Sequence, residues 1–490
     1  MRRVGLSVLV LGAVLVGCVG DDGGDDGGDG GRASGDDSSL PSCPIDALPD
    51  DPAQPVEIVL WHSYQVRQET TLREIVDEYN AGQDRVHVTA EFQGVQTEHL
   101  QKFQRAIPHN DLPAITAQGD WTTQFMIDSG VALPVQACLD ADRDAAEQFD
   151  DLVPVVRAAF TVEDVLWPGA FGLSTSMLGI NRDHFRSAGL DPDEPPGNMA
   201  ELRAAAEQIK AAGVSQQPMV MKADPWRLEF WVTGAGEALV DNDNGHSARA
   251  TASEVDNPAT HEALTWLSEM VGDGLLKPES AAEGNINDML SIATQSSSMV
   301  LTESAGITTI AAVVEGSTDP ADLALPGGDQ IPAGLDLSID FGTGAFPGIE
   351  EPGRGQIGGS AWYLTNTGPP EEQAAAWDFM RYFNSVENQV RWLIDGSNLV
   401  AWESVNDEPE VETFCETGLA GTSMAIVSQA LADLDPEFTG PVIGPYDDVR
   451  LALTTALEDT MLGGADPDAA VTKADAEIDR LIKAYDDANF

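Results

Sequence analysis

The side chains able to do chemistry are plentiful but badly grouped for covalent work. The chain carries 82 acidic residues but only seven histidines, which are scattered and give no metal-ligand spacing. HExxH is absent, and Gly421-Thr422-Ser423-Met424-Ala425 lacks the closing glycine of a GxSxG nucleophile elbow. The turn Asp241-Asn242-Asp243-Asn244-Gly245 fails as a calcium loop, because its glycine comes one position early and Ala252 stands where a bidentate glutamate is needed. Two carboxylates held roughly 5–9.5 Å apart would cleave a glycan. With so many acids, a secreted glycan-acting hydrolase stays open as the alternative reading.

The chemistry that fits better is reversible hydrogen bonding and stacking. Polar and aromatic residues collect at the ends of apolar runs: Trp61-His62-Ser63, Gly94-Val95-Gln96 and Gln118-Gly119-Asp120-Trp121. Residues 167–183, WPGAFGLSTSMLGINRD, read as a ligand-contacting strand that crosses between two lobes, with glycines and hydroxyls letting the backbone approach a ligand. A similar small-residue stretch, Gln356-Ile357-Gly358-Gly359-Ser360-Ala361-Trp362, follows a Pro/Gly-rich region (326–355) that reads as irregular connection.

These groups need a scaffold. Residues 56–61 read as a buried strand, and Leu72, Ile75, Val76 and Tyr79 then recur at helical spacing. Alternation at Val86, Val88, Ala90 and Phe92, a helix over 97–106 and a strand at 114–117 complete a β-α-β-α-β succession. That order implies a parallel sheet with ligands at the carboxyl ends of its strands. Asn198 and Glu201 form a capping pair, Trp266 and Met270 share a helix face, and Ile478, Leu481, Ile482 and Tyr485 end the chain on an amphipathic helix.

Met1-Arg2-Arg3 and the apolar run to Val16 have the layout of a secretion signal, too short for the ~20 residues that span a bilayer. Leu15-Val16-Gly17-Cys18 resembles the bacterial lipobox, which would make Cys18 the lipidated N-terminus. Residues 20–39 are almost wholly Gly, Asp and Ser, a composition that tethers rather than folds. Cys43, Cys138 and Cys415 remain for a compartment that permits disulfides; we take Cys43 with Cys138, leaving Cys415 as the competing partner. A net charge of −57 excludes nucleic acid as a partner, since phosphate backbones demand a basic footprint. The lysine-poor, acidic surface also suits a high-salt habitat.

The order of these pieces resembles the bacterial extracellular solute-binding proteins that serve ABC importers of sugars and glycerol 3-phosphate. It runs from Trp61-His62-Ser63 through Tyr79-Asn80, Pro113-Ala114-Ile115 and Asn181-Arg182-Asp183 to Ala188-Gly189-Leu190-Asp191-Pro192 and Pro195-Pro196. The resemblance implies an α/β, two-lobed periplasmic-binding-protein fold of type II, each lobe a mainly parallel sheet flanked by helices, with three crossing segments. The implied organisation is a signal over 1–17, an anchored linker over 18–55, a first lobe of 56–173 with 360–400, and a second lobe of 174–359 with 401–490. It implies a monomer that binds a small polar solute and an ABC permease, with no cofactor, no metal and no catalysis.

It also implies a binding set. Ser174, Trp226, Gly359 and Arg450 agree with the glycerol-phosphate pattern, Asp120 replaces a glutamate, and Gln96 and Asn398 replace tyrosines. Glu303 and Ser304 lie on a segment that faces the ligand in the family. Arg450 would pair with phosphate or bridge hydroxyls, and Trp226 would supply an apolar face. If Cys18 carries the anchor, Cys18→Ser is expected to move the protein from the membrane fraction into the soluble one; continued retention on membranes would refute the anchor.

Overall fold

Alternating apolar residues in Val56–His62 (β1) and Val86–Phe92 (β2) set the first sheet, and the fully buried Ile115–Gly119 (β3) joins it. The computed structural model describes residues 40–282, 287–316, 339–350 and 355–490. The signal-like segment, Cys18 and the tether up to residue 39 lie outside the described residues, as does most of the Pro/Gly-rich region.

The first sheet continues with Ala132–Leu133 (β4), a hairpin of Thr161–Val162 (β5) and Val165–Leu166 (β6) lies beside it, and Ala170–Ser174 (β7) ends the first pass through this lobe. After a single residue, Ser176–Asn181 (β8) begins the second sheet, which gains Met219–Lys222 (β9), Leu276–Glu279 (β10), Met299–Glu303 (β11) and Phe341–Ala345 (β12). Gly358–Thr365 (β13) then returns to the first sheet. The orders are β2-β1-β3-β13-β4, with β7 also on β13, and β10-β9-β11-β8-β12.

Both sheets are mixed rather than mainly parallel. β1 is parallel to β2 and β3, and β9 to β10 and β11, but β13 runs antiparallel to β3, β4 and β7, and β8 antiparallel to β11 and β12. The cause is topological. Helical crossovers make parallel neighbours, whereas β8 and β13 enter their sheets from the other lobe. β12 itself lies where an irregular connection was expected, because Gly342 and Gly344 conceal its alternation; they leave room for Arg182 and Pro195 to pack over this strand.

Two apolar cores result. Leu60, Ile75, Phe103, Trp362 and Phe383 belong to the first, and Leu178, Ile209, Trp231, Leu267 and Ile478 to the second. Each such fully buried side chain contributes roughly 1.5–3 kcal/mol of transfer free energy. Local signals act as the sequence implies: Asn198 Oδ1 accepts from the Glu201 N–H at 2.9 Å, while Glu201 Oε2 accepts from the Gly197 N–H at 2.8 Å, closing the start of the helix Met199–Ala211 from both sides. Cys43 and Cys138 are joined by a disulfide across 95 residues of sequence, tying the start of the folded body to the helix Val135–Ala141; Cys415 is a free thiol.

The third passage between lobes lies later than residue 400. Leu399 still donates to the Leu173 carbonyl at 2.9 Å, and Ala401, Trp402, Val405 and Val411 sit in the first core. The following helix, Gly418–Ala432, touches both lobes: Met424, Val427 and Leu431 join the first core, while its Ser423 hydroxyl meets that of Thr343 on β12 at 2.7 Å. Away from these passages, the lobes are joined by charge. Asp128, only 4% exposed at the end of the helix Thr123–Asp128, takes both terminal nitrogens of Arg249 at 2.6 Å and the Tyr485 hydroxyl at 2.9 Å.

β13 can pair with β7 only because Gly359 adopts φ +116°, a conformation in which a Cβ would lie 2.2 Å from the Gly172 carbonyl oxygen. Gly359→Ala is therefore expected to destabilise the fold by at least about 2 kcal/mol, read as a lower urea midpoint. An unchanged midpoint would show that the crossing strand shifts freely.

Candidate functional site

The carboxyl ends of β1 and β3 face those of β9 and β11 across a cleft of about 650 Å³ floored by the crossing strands. The first lobe contributes Ser63, Tyr64, Gln68, Gln96, Asp120 and Trp121; the second contributes Lys222, Asp224, Trp226, Glu303 and Arg450; Ser174, Gly359 and Ser360 form the floor. An apolar cavity of about 400 Å³ adjoins it within the second lobe, behind Leu301, Ile310 and Phe341. Of its charged lining residues, Lys222, Asp224 and Glu303 are shared with the cleft, and the rest of its wall comes from the second lobe alone, so the cleft that draws on both lobes is the candidate site.

Seven of the nine residues proposed from sequence reach this cleft: Gln96, Asp120, Ser174, Trp226, Glu303, Gly359 and Arg450. Ser304 and Asn398 do not, being fully enclosed. The Ser304 hydroxyl accepts from the Thr175 N–H at 3.0 Å and its own N–H donates to the Thr175 carbonyl at 2.9 Å, so it satisfies the one residue between β7 and β8 that belongs to neither strand. Asn398 Oδ1 accepts from Gln68 Nε2 at 2.9 Å; the amide at the cleft surface is that of Gln68. Gln68 was missed because it lies inside a helix, Val66–Gly82, rather than at a strand end. Lys222 and Asp224 were missed as well, although the end of β9 is where the strand-end rule points.

The floor is held from below. The Tyr64 and Ser360 hydroxyls meet at 2.5 Å and Trp362 Nε1 donates to Tyr64 at 2.6 Å, an apolar setting that pushes the Tyr64 phenol up to about 12. Ser63 is fixed by His99 Nδ1 at 3.0 Å, and burial depresses that imidazole to about 3, so it is neutral.

Arg450 departs from the expected phosphate clamp. Its Nε donates to Glu229 Oε1 at 2.9 Å and its Nη2 to Oε2 at 2.7 Å. Glu229 is 0% exposed. The guanidinium lies 5.0 Å from the Trp121 ring centre and 4.7 Å from that of Tyr446. Its charge is thus matched by a buried partner, and two aromatic rings lie within 5.0 Å of it. The other base, Lys222, stands 3.5 Å from Asp288. The wall carries three carboxylates, Asp120, Asp224 and Glu303, with the buried Arg227 standing 3.9 Å from Asp224 and 3.5 Å from Glu303. Burial raises the Asp120 carboxyl to about 6, the largest opposing effect being the Arg450 charge, and its Oδ1 accepts from the Gly359 N–H at 3.2 Å. Such a wall is suited to accept hydroxyl protons. Among the described residues no group of His, Cys, Asp and Glu is arranged to hold a metal, and no helix is long and apolar enough to cross a membrane.

Known proteins agree with this geometry. The chain is 22% identical to the sn-glycerol-3-phosphate-binding periplasmic protein of Yersinia pseudotuberculosis over 88% of its own length and 94% of the relative's. Solved structures share the fold. A cyclic α-maltosyl-1,6-maltose binding protein from Arthrobacter globiformis aligns at TM-score 0.68 and 20% identity, covering 88% of this chain and all of its own. UgpB from Mycobacterium tuberculosis, in complex with glycerophosphocholine, aligns at TM-score 0.67 and 16% identity, covering 88% of this chain and 99% of its own. These relatives are binding proteins, and the hydrolase reading falls with that finding. The family model for bacterial extracellular solute-binding proteins matches residues 74–414, well over half of the sequence, and the chain belongs to that family.

Proposed function

We propose that this protein is the receptor of an ABC importer, held by a lipidated Cys18 on the outer face of the cell membrane, and that its cargo is a neutral, polyhydroxylated solute of the sugar class. One observation carries the choice of sugar over glycerol phosphate: the only arginine lining the cleft among the described residues is already paired, bidentately, with a buried glutamate. A phosphate dianion entering there meets Asp120, Asp224 and Glu303, while the nearby bases Arg450, Arg227 and Lys222 each already stand beside a carboxylate. Sugar hydroxyls need no net charge. They can donate to Asp120, Asp224 and Glu303, accept from Gln68, Gln96 and Arg450, and place an apolar ring face on Trp226. The relatives include binders of both solute kinds, so the distinction rests on the cleft.

Capture would use closure of the two lobes about the crossing segments, the hinge motion of periplasmic binding proteins. Only a higher affinity for the closed state is required. A monomer suffices, with both walls supplied by one chain, and the permease would receive the closed form.

A thermal-shift panel of mono-, di- and oligosaccharides, glycerol 3-phosphate and glycerophosphodiesters tests this, because ligands that bind only the folded state raise its melting temperature. Neutral sugars are expected to give the larger shifts; a shift confined to the phosphate compounds would overturn the reading. The pH dependence follows from Asp120. As an acceptor it must be ionised, and its carboxyl in the empty cleft titrates near 6. Affinity for the neutral sugar should therefore be level above that pH and fall by up to about tenfold per unit below it. Asp120→Asn should flatten this profile while weakening binding at neutral pH.

A further inference from the structure

Glu229 lies one helical turn beyond Trp226 on the helix Pro225–Gly234, yet it does not line the cleft that Trp226 faces. It is wholly buried and all of its hydrogen-bonding capacity is directed inward: Oε1 to Arg450 Nε, and Oε2 to Arg450 Nη2 and to Gln356 Nε2 at 2.9 Å. We infer that Glu229 sets what the cleft admits, by holding Arg450 as a charge-matched hydroxyl donor and so excluding phosphorylated solutes. The inference rests on the sugar-receptor reading above and names the residue that enforces it.

A guanidinium recognises phosphate through two parallel N–H donors on one edge, backed by an unmatched positive charge. In this protein the Nε–Nη2 edge is taken by a carboxylate, and the guanidinium carbon lies over the rings of Trp121 and Tyr446. Arg450 still lines the cleft, where N–H groups not given to Glu229 can donate to a neutral oxygen. Gln356 Nε2 donates to the same Oε2 that takes Arg450 Nη2, a second hold on the buried carboxylate that opposes its release from the arginine edge. As a carboxylate with no access to the cleft, Glu229 is a positioning residue. Its signature is the ratio of affinities for phosphorylated and neutral solutes rather than either affinity alone.

Calorimetric titration of the purified protein with inorganic phosphate, glycerol 3-phosphate and the best neutral sugar of the panel tests this. Glu229→Gln keeps the shape and removes the charge; affinity for both phosphates is expected to rise roughly tenfold or more while the neutral sugar changes by only a few-fold. Glu229→Asp keeps the charge and should show no such gain. An absent gain in Glu229→Gln, or an equal gain in Glu229→Asp, would overturn the inference. Arg450→Gln gives an independent reading should Glu229→Gln fold poorly: neutral and phosphorylated ligands are expected to weaken by the same factor, and a loss confined to phosphates would refute a matched arginine. A wild-type protein that prefers glycerol 3-phosphate to every sugar would sink the sugar reading itself. A sugar-preferring wild type with an unresponsive Glu229→Gln would sink only the role given to Glu229.

Discussion

The structure depends on one backbone constraint: the chain must pass between two lobes in extended form without leaving buried amides unpaired. β7 and β8 are separated only by Thr175, whose N–H and carbonyl would be orphaned between two sheets. Ser304 takes both. On either side the strands are paired by neighbours of different lobes, β7 by β13 and β8 by β11 and β12. The close approach of β13 to β7 in turn requires the positive φ of Gly359. The cleft floor is therefore a product of hydrogen-bond bookkeeping, and the small residues on it follow from the need to bring backbones together.

Much of this was legible in the residues. Strand ends carry the first-lobe wall, and Trp61-His62-Ser63, Gly94-Val95-Gln96 and Gln118-Gly119-Asp120-Trp121 each place at least one residue at the cleft. The crossing at Ser174 could be read from its glycines and hydroxyls. What could not be read were contacts made at long sequence distance. Asn398 lies behind Gln68, 330 residues away, and Arg450 meets Glu229 across 221. Periodicity reports which face of an element is apolar, but not which buried polar group will find which partner. β12 escaped for a local reason, since its two glycines erase the alternation by which strands are recognised.

The surplus of acid has a structural counterpart. Several ion pairs among the described residues are short-range and exposed, such as Arg143 with Glu147 or Lys483 with Asp487, and such pairs contribute little. The scarce bases placed indoors have more specific work. Arg249 joins the second lobe to Asp128 of the first, and Arg450 joins Glu229 to the cleft. In a chain with 25 bases against 82 acids, a buried arginine–carboxylate pair is one way to put a strong donor in a cleft without adding net positive charge.

Arg450 also touches both lobes. Its own helix, Tyr446–Met461, belongs to the second, whereas Trp121, its ring centre 5.0 Å from the guanidinium carbon, follows β3 of the first. A change in the angle between lobes must therefore alter the stacking on Arg450, while Glu229 and Gln356 keep the guanidinium fixed within its own lobe. On the proposed sugar-receptor reading, the donor offered to a solute hydroxyl is the same group that touches the opposite wall. Recognition and closure are then coupled through one side chain, and the buried carboxylate behind it keeps that coupling from becoming a trap for anions. An unmatched arginine in the same place would attract counter-charge in the empty state and hold it through closure. A matched one leaves the hydroxyl pattern of the solute to decide whether closure is favourable.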